Sequence, residues 1–181
     1  IMKPYYFLPS DFDGTMFKTG TDSPNGINVK VACEKAICDL FKERGREVYN
    51  GQLGGLQNRE PGELMSLMLA ALDINLVTIA EATELFVRRK LDYLVPEISR
   101  DWPLPYPGVV DFLKDVQAGR YPVEVAVVSS GHDEFIKRAF EVNGVNTPPN
   151  MATSDTIRSL TQPDRPLYKP NTYQLAAVHK K

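Results

Sequence analysis

Hydrophobic positions change period several times along this chain, and each change predicts an element. Tyr5-Tyr6-Phe7-Leu8 is a short apolar run of strand character. Pro9 follows it and, lacking a ladder donor, is expected to mark the strand's end. Val29, Cys33, Ile37 and Leu40/Phe41 then recur at three- to four-residue spacing, with Gly45 as a stop, and predict a helix. Pro61 is placed like a first-turn proline ahead of Leu64, Met65, Met68 and Leu72. Thr78 followed by Glu81 reads as a capping box opening a helix through Ala82, Leu85, Phe86 and Tyr93, bounded by Pro96. Val109, Phe112, Leu113 and Val116 give a helical face over 108–116. Val123 to Val128 is a β-branched run of strand length. Phe135/Ile136 and Ala139/Phe140 then return to helical spacing, with Gly144 as the stop.

More than a hundred residues lie between the first strand and the second, far more than a βαβ crossover needs. The helical signals in that gap predict an α-helical insert over 20–103, with Met65 and Met68 as core filling. Pro103, Pro105 and Pro107 read as the hinge by which the chain returns to an α/β core made of 1–19 and 104–181.

Composition narrows the function classes. The 181 residues, 43% of them hydrophobic, suit one ordinary domain or a core with an inserted subdomain, without a disorder signature. A formal net charge of -2 gives no reason to expect nucleic acid or an anionic membrane as partner. No apolar run approaches the ~20 residues of a membrane span. Cys33 and Cys38, five apart in a helical pattern, suit neither a disulfide nor a metal site. They read as buried thiols in a reducing compartment, which places the protein in the cytoplasm.

Candidate chemistry begins where the first strand breaks, at Asp11-Phe12-Asp13-Gly14-Thr15. In extended backbone Asp11 and Asp13 share a face while Phe12 points away toward packing. Two carboxylates that close call for a cation or a shared proton. Gly14 removes a β-carbon where backbone approaches a ligand, and the Thr15 hydroxyl can bond the turn. An Asx-turn after an edge strand would explain one Asp and the Gly, but not the second Asp. Downstream, Ser129-Ser130-Gly131 joins the second strand to its helix, offering a hydroxyl, backbone N–H groups and a helix N-terminus to an anion. Taken alone, this is more often an ordinary helix-opening turn. Lys169, in Tyr168-Lys169-Pro170-Asn171, is by itself a solvated loop lysine.

In that order and spacing the three segments resemble the motifs of the haloacid dehalogenase superfamily of phosphotransferases, over nearly the whole chain. The resemblance implies a Rossmann-like parallel-sheet core, with the insert as an α-helical cap of the phosphoglucomutase and phosphonatase kind. It makes Asp11 the nucleophile, Asp13 the general acid/base and Lys169 the cation that neutralises the transferring phosphoryl group. It sets Phe12, Gly14, Thr15, Ser129, Ser130 and Gly131 around the phosphate, and Mg²⁺ on Asp11 and Asp13. An acid at position 13 argues for phosphate chemistry over carbon–halogen cleavage. The implied activity is hydrolysis of a small phosphate monoester through an aspartyl-phosphate. A phosphosugar mutase and an inactive phosphate-binding or regulatory domain are the alternatives. A phosphonatase needs a cap lysine, and nothing marks Lys30, Lys35 or Lys42 for it. Asn58 and Arg59, after Gly54-Gly55, are candidates for a substrate's distal group, or else a turn with a solvated arginine.

The family's fourth motif, a strand ending in Gly-Asp with a further Asp, has no counterpart before Lys181. Asp155 would end a more peripheral strand, Met151-Ala152-Thr153, and is left out of the metal set; Asp164 also precedes Lys169. Without that last strand the segment Tyr5 to Leu8 is expected to be a bare apolar edge, so a C-terminal truncation is expected. Nothing in the sequence fixes the substrate or the oligomeric state.

Overall fold

β1 (Tyr6–Ser10) and β2 (Val123–Val128) lie side by side in parallel although the whole helical insert separates them. The computed structural model describes residues 6–48, 61–72 and 78–158. The register pairs Tyr6 with Val123 and Ser10 with Val127, so β1 runs two residues past Leu8. Pro9 is therefore inside the strand, opposite Ala126, and does not end it. Tyr6 N–H donates to the Pro122 carbonyl. In a parallel ladder alternate residues face the neighbour, so 6, 8 and 10 address β2. The missing Pro9 donor falls on the other edge, where it costs the ladder nothing. β3 (Asn150–Ala152) adds to the far side of β2, giving the order β1-β2-β3, all parallel. All three strands thus end at one rim of the sheet.

The predicted helices are present. α1 (Val29–Lys42) is capped by Asn28, whose side chain accepts from Val31 N–H, and the chain leaves it through Gly45. α2 (Pro61–Ala71) opens on its proline. α3 (Ile79–Leu94) carries both bonds of the Thr78–Glu81 capping box and runs into a 3₁₀ turn at Val95–Glu97. α4 (Val109–Gln117) precedes β2, and α5 (Asp133–Val142) follows it. α6 (Ser154–Arg158) is a short turn after β3.

Two large hydrophobic clusters result, besides a small one of Ala126, Val128 and Ala152. One is confined to α1, α2 and α3, around Phe41, Leu64, Met65, Met68 and Phe86. The other lies against the sheet and holds Phe12, Phe17, Trp102, Val125, Val127, Phe135 and Phe140. The chain passes between the two along paired strands of backbone. Lys18 N–H donates to Leu104 carbonyl at 2.8 Å, Tyr106 N–H to Met16 carbonyl at 2.9 Å, and Phe17 bridges Pro105 antiparallel. The buried Trp102 ring anchors this crossing by donating Nε1–H to the Thr21 carbonyl at 2.7 Å.

Cys33 and Cys38 are free thiols, but only Cys33 is buried. Cys38 is half-buried at the edge of the α1–α3 cluster, with its thiol donating to the Val48 carbonyl. Burial pushes both thiols up. Among the described residues β1 is an edge strand, with Tyr6 60% and Leu8 43% exposed. No helix among them is long and apolar enough to cross a membrane.

Candidate active site

The rim where β1, β2 and β3 end collects the polar groups. Asp11 leaves β1, and Phe12 immediately drives its ring into the core, fully buried. That ring stacks on Phe17 with centroids 4.8 Å apart and meets Phe140 and Phe135 edge-on at 5.6 and 6.1 Å. The backbone then closes a single turn, with Met16 and Phe17 both donating to the Phe12 carbonyl. Gly14 sits in this turn at φ 72° and gives its N–H to the Phe17 carbonyl at 2.8 Å. Nothing lies within 4 Å of where its β-carbon would be, so left-handed backbone and not crowding selects glycine here. Backbone bonds close the turn, and the Thr15 side chain stands exposed on it.

The two carboxylates are held differently. Asp11 Oδ1 accepts the Phe12 N–H at 2.8 Å, which folds its carboxyl back against the turn. Asp13 Oδ2 accepts from the fully buried Ser129 hydroxyl at 3.0 Å. Ser129 follows the last residue of β2, so adjacent parallel strands bring residues 116 positions apart into one hydrogen bond.

Ser129 Oγ also accepts the Gly131 N–H at 2.9 Å. A β-carbon on Gly131 would stand 3.1 Å from Ser129 Oγ, so tight contact with that hydroxyl favours glycine here, while Asp13 Oδ2 at 3.5 Å is at ordinary contact distance. Ser130 is exposed, and its carbonyl accepts from the Ser154 hydroxyl at 2.6 Å.

The structure thus unites Asp13, Ser129 and Gly131, with Asp11 at the same rim. Lys169, Asn58, Arg59 and Asp164 lie outside the described residues. Two further groups enter the site that sequence reasoning did not select. His132, only 2% exposed, lies within 3.0 Å of Asp155 Oδ1 through Nδ1, and Asp155 Oδ2 accepts the Asp133 N–H at 2.8 Å. The available signal was positional: the two residues follow neighbouring strands by a similar interval, and parallel strands bring such positions together.

Oxygen donors suitable for a hard cation are the carboxylates of Asp11 and Asp13 and the backbone carbonyls beside them. Among the described residues no group of three or more His, Cys, Asp or Glu side chains is placed to hold a metal. One or two carboxylates suit Mg²⁺, which keeps several waters, better than an ion needing a dense protein cage.

No protein-family model and no curated protein sequence matches this chain. Solved structures do. CbbY from Rhodobacter sphaeroides in complex with phosphate superposes with a TM-score of 0.64 at 14% identity, covering 98% of this chain and 72% of that one. The β-phosphoglucomutase from Clostridium difficile gives 0.58 at 15% identity, covering 97% and 69%. A hydrolase from Pseudomonas syringae gives 0.56 at 14% identity, covering 98% and 70%. This chain has the haloacid dehalogenase fold. The α/β reading with a parallel sheet is therefore correct, and in this fold the rim carrying Asp11, Asp13 and Ser129 is the carboxyl end of the strands, where open α/β sheets bind ligands.

Proposed function

We propose that the chain is a Mg²⁺-dependent phosphatase that hydrolyses a small phosphate monoester through an aspartyl-phosphate on Asp11. The observation that carries this reading is the Ser129 hydroxyl on Asp13 Oδ2, beside Asp11, at the rim of a parallel sheet.

In the first step an Asp11 oxygen forms a bond to phosphorus as the ester P–O bond breaks, and Asp13 gives its proton to the leaving oxygen. In the second, Asp13 takes a proton from water as the water oxygen bonds phosphorus and the P–O bond to Asp11 breaks. When phosphate binds, the Ser129 hydroxyl turns from Asp13 Oδ2 to a non-bridging oxygen, and the N–H groups of Ser130 and His132 hold the others, with Lys169 as a further cation. A divalent ion would be held by the Asp11 carboxylate and the Asp13 backbone carbonyl, and would supply charge neutralisation for the phosphate oxygens. The helices α1–α3 form the cap that covers this face, and Asn58 and Arg59 contact the substrate's distal group. CbbY of Rhodobacter sphaeroides, in a variant form, is solved with xylulose-(1,5)bisphosphate, which favours a sugar phosphate as the first substrate to try. A cytoplasmic location belongs to this proposal, supported by the two free thiols.

Asp11→Asn tests the reading. With p-nitrophenyl phosphate and Mg²⁺ the variant should show no turnover while its far-UV circular dichroism matches the parent. Retained turnover removes Asp11 from its role. Release of inorganic phosphate supports a phosphatase, and isomerised sugar phosphate without release marks a mutase.

A further inference from the structure

Every residue of the loop 129–133 is tied to the segment 152–155. Ser129 N–H donates to the Ala152 carbonyl at 2.9 Å, and Ser154 N–H to the Gly131 carbonyl at 3.1 Å. Ser154 Oγ donates to the Ser130 carbonyl at 2.6 Å, and the buried Thr153 hydroxyl to Asp133 Oδ1. Asp155 completes the set by engaging the His132 ring through one oxygen and the first N–H of α5 through the other. With a carboxylate as partner, Nδ1 of His132 carries the proton.

This stitching orients the loop's donors. In a trans peptide the C=O and the following N–H point in opposite directions. Because Ser154 takes the carbonyls of Ser130 and Gly131, the N–H groups of Gly131 and His132 turn away from β3. The first of them is seen on Ser129 Oγ, next to Asp13. The carbonyl ties act on the backbone, whereas the carboxylate of Asp155 holds the buried ring that ends the loop and fixes where α5 begins. Its two bonds include a charge-assisted one at a helix N-terminus, where negative charge is favourable.

We propose that Asp155 and His132 are positioning residues, outside the reacting groups, that fix the 129–132 loop so that Ser129 and the loop N–H groups are aimed at a bound phosphate. The inference rests on the phosphate-binding reading of that loop. It gives Asp155 a role in the neighbourhood of the site without making it a metal ligand.

The test uses the full chain, with p-nitrophenyl phosphate for turnover and inorganic phosphate for titration calorimetry. Asp155→Ala should raise both KM and the phosphate Kd about tenfold, the loss of roughly one charge-assisted bond, with kcat little changed. Asp155→Asn should restore most of the affinity, since its amide accepts from Asp133 N–H and donates to Nδ1 of the other ring tautomer. A lowered Tm with KM and Kd both unchanged makes the pair merely structural and overturns the proposal. If Asp155→Ala does not fold, His132→Phe carries the same test, because it leaves the carboxylate on Asp133 N–H and keeps the buried ring while removing the Nδ1 donor that meets Asp155. Unchanged phosphate affinity in that variant is equally fatal. Phosphate titration needs no turnover, so the two readings fail separately. A parent protein that binds phosphate without hydrolysing esters ends the phosphatase reading, and the variants still decide this one. A parent that does neither ends both.

Discussion

Ser129 donates its hydroxyl to Asp13 Oδ2 at 3.0 Å and receives the Gly131 N–H on the same oxygen at 2.9 Å. One buried atom therefore couples the Asp13 carboxylate to the loop that faces it. Ser129→Ala removes both bonds and strands the Gly131 N–H. A roughly hundredfold fall in kcat/KM is expected, the scale for deleting one preorganised donor. A stability loss of about 1–3 kcal/mol should accompany it, because a donor loses its partner in a buried setting. Steady-state kinetics and urea unfolding on the same variant check both; activity within threefold of the parent contradicts the coupling.

Asp13→Asn leaves a side chain of the same shape that can still accept from Ser129 but cannot carry the proton. Departure of the ester oxygen and hydrolysis of the intermediate should both slow, and phosphoenzyme should accumulate if the second step suffers more. Intact-protein mass spectrometry after mixing with substrate would detect the added phosphoryl group on Asp11. Identical hydrolysis rates in variant and parent end the assignment of Asp13.

Much of this fold was legible because its signals are local. The Thr78–Glu81 box, the repeat from Val29 and the β-branched run before Ser129 each act over a few residues. Pro9 misled because its effect depends on which neighbour its missing N–H would have faced, a tertiary fact. The left-handed backbone at Gly14 and the tight contact of Gly131 with Ser129 Oγ were not legible, because φ and long-range contacts are set by the folded chain. The meeting of Asp13 with Ser129 was legible from two motifs that each follow a strand, while Lys169 lies outside the described residues. The union of His132 with Asp155 was not, since no periodicity relates a loop after one strand to a turn after the next.

The capping box makes a measurable link between pH and the stability of the helical cluster. Glu81 Oε2 accepts from the Thr78 N–H at 3.0 Å and the Thr78 hydroxyl at 2.8 Å. The backbone bond first, and the hydroxyl second, hold its carboxyl below its ordinary value. A carboxyl lowered in the folded state adds stability that is present above its unfolded pKa and lost as pH falls through the folded one. Acid unfolding of the parent should therefore include a contribution from Glu81 that Glu81→Gln lacks, and the two midpoints should converge at low pH. Thr78→Ala removes the cap itself and should cost about 1 kcal/mol at neutral pH. Urea midpoints measured from neutral pH downward test this, and parallel curves for Glu81→Gln and parent contradict the linkage.

Phe12 is the residue on which the positions of both carboxylates depend. It stands between Asp11 and Asp13, is fully buried, and packs on Phe17, Phe135 and Phe140 at once. The same residue's carbonyl receives Met16 and Phe17 N–H, so its ring and its backbone anchor the turn together. Phe12→Ala should cost ~3–5 kcal/mol through lost burial and an unfilled cavity. Phe12→Leu, which keeps most of the volume, should cost less than ~1.5 kcal/mol. If anchoring sets the carboxylates' geometry, the folded fraction of Phe12→Leu should still lose activity, since misplacement by about 1 Å is enough to cost a hundredfold in rate. Kinetics at a temperature where Phe12→Leu is fully folded separate the two effects. Parent-like turnover there would mean that the turn holds its shape by backbone hydrogen bonds alone.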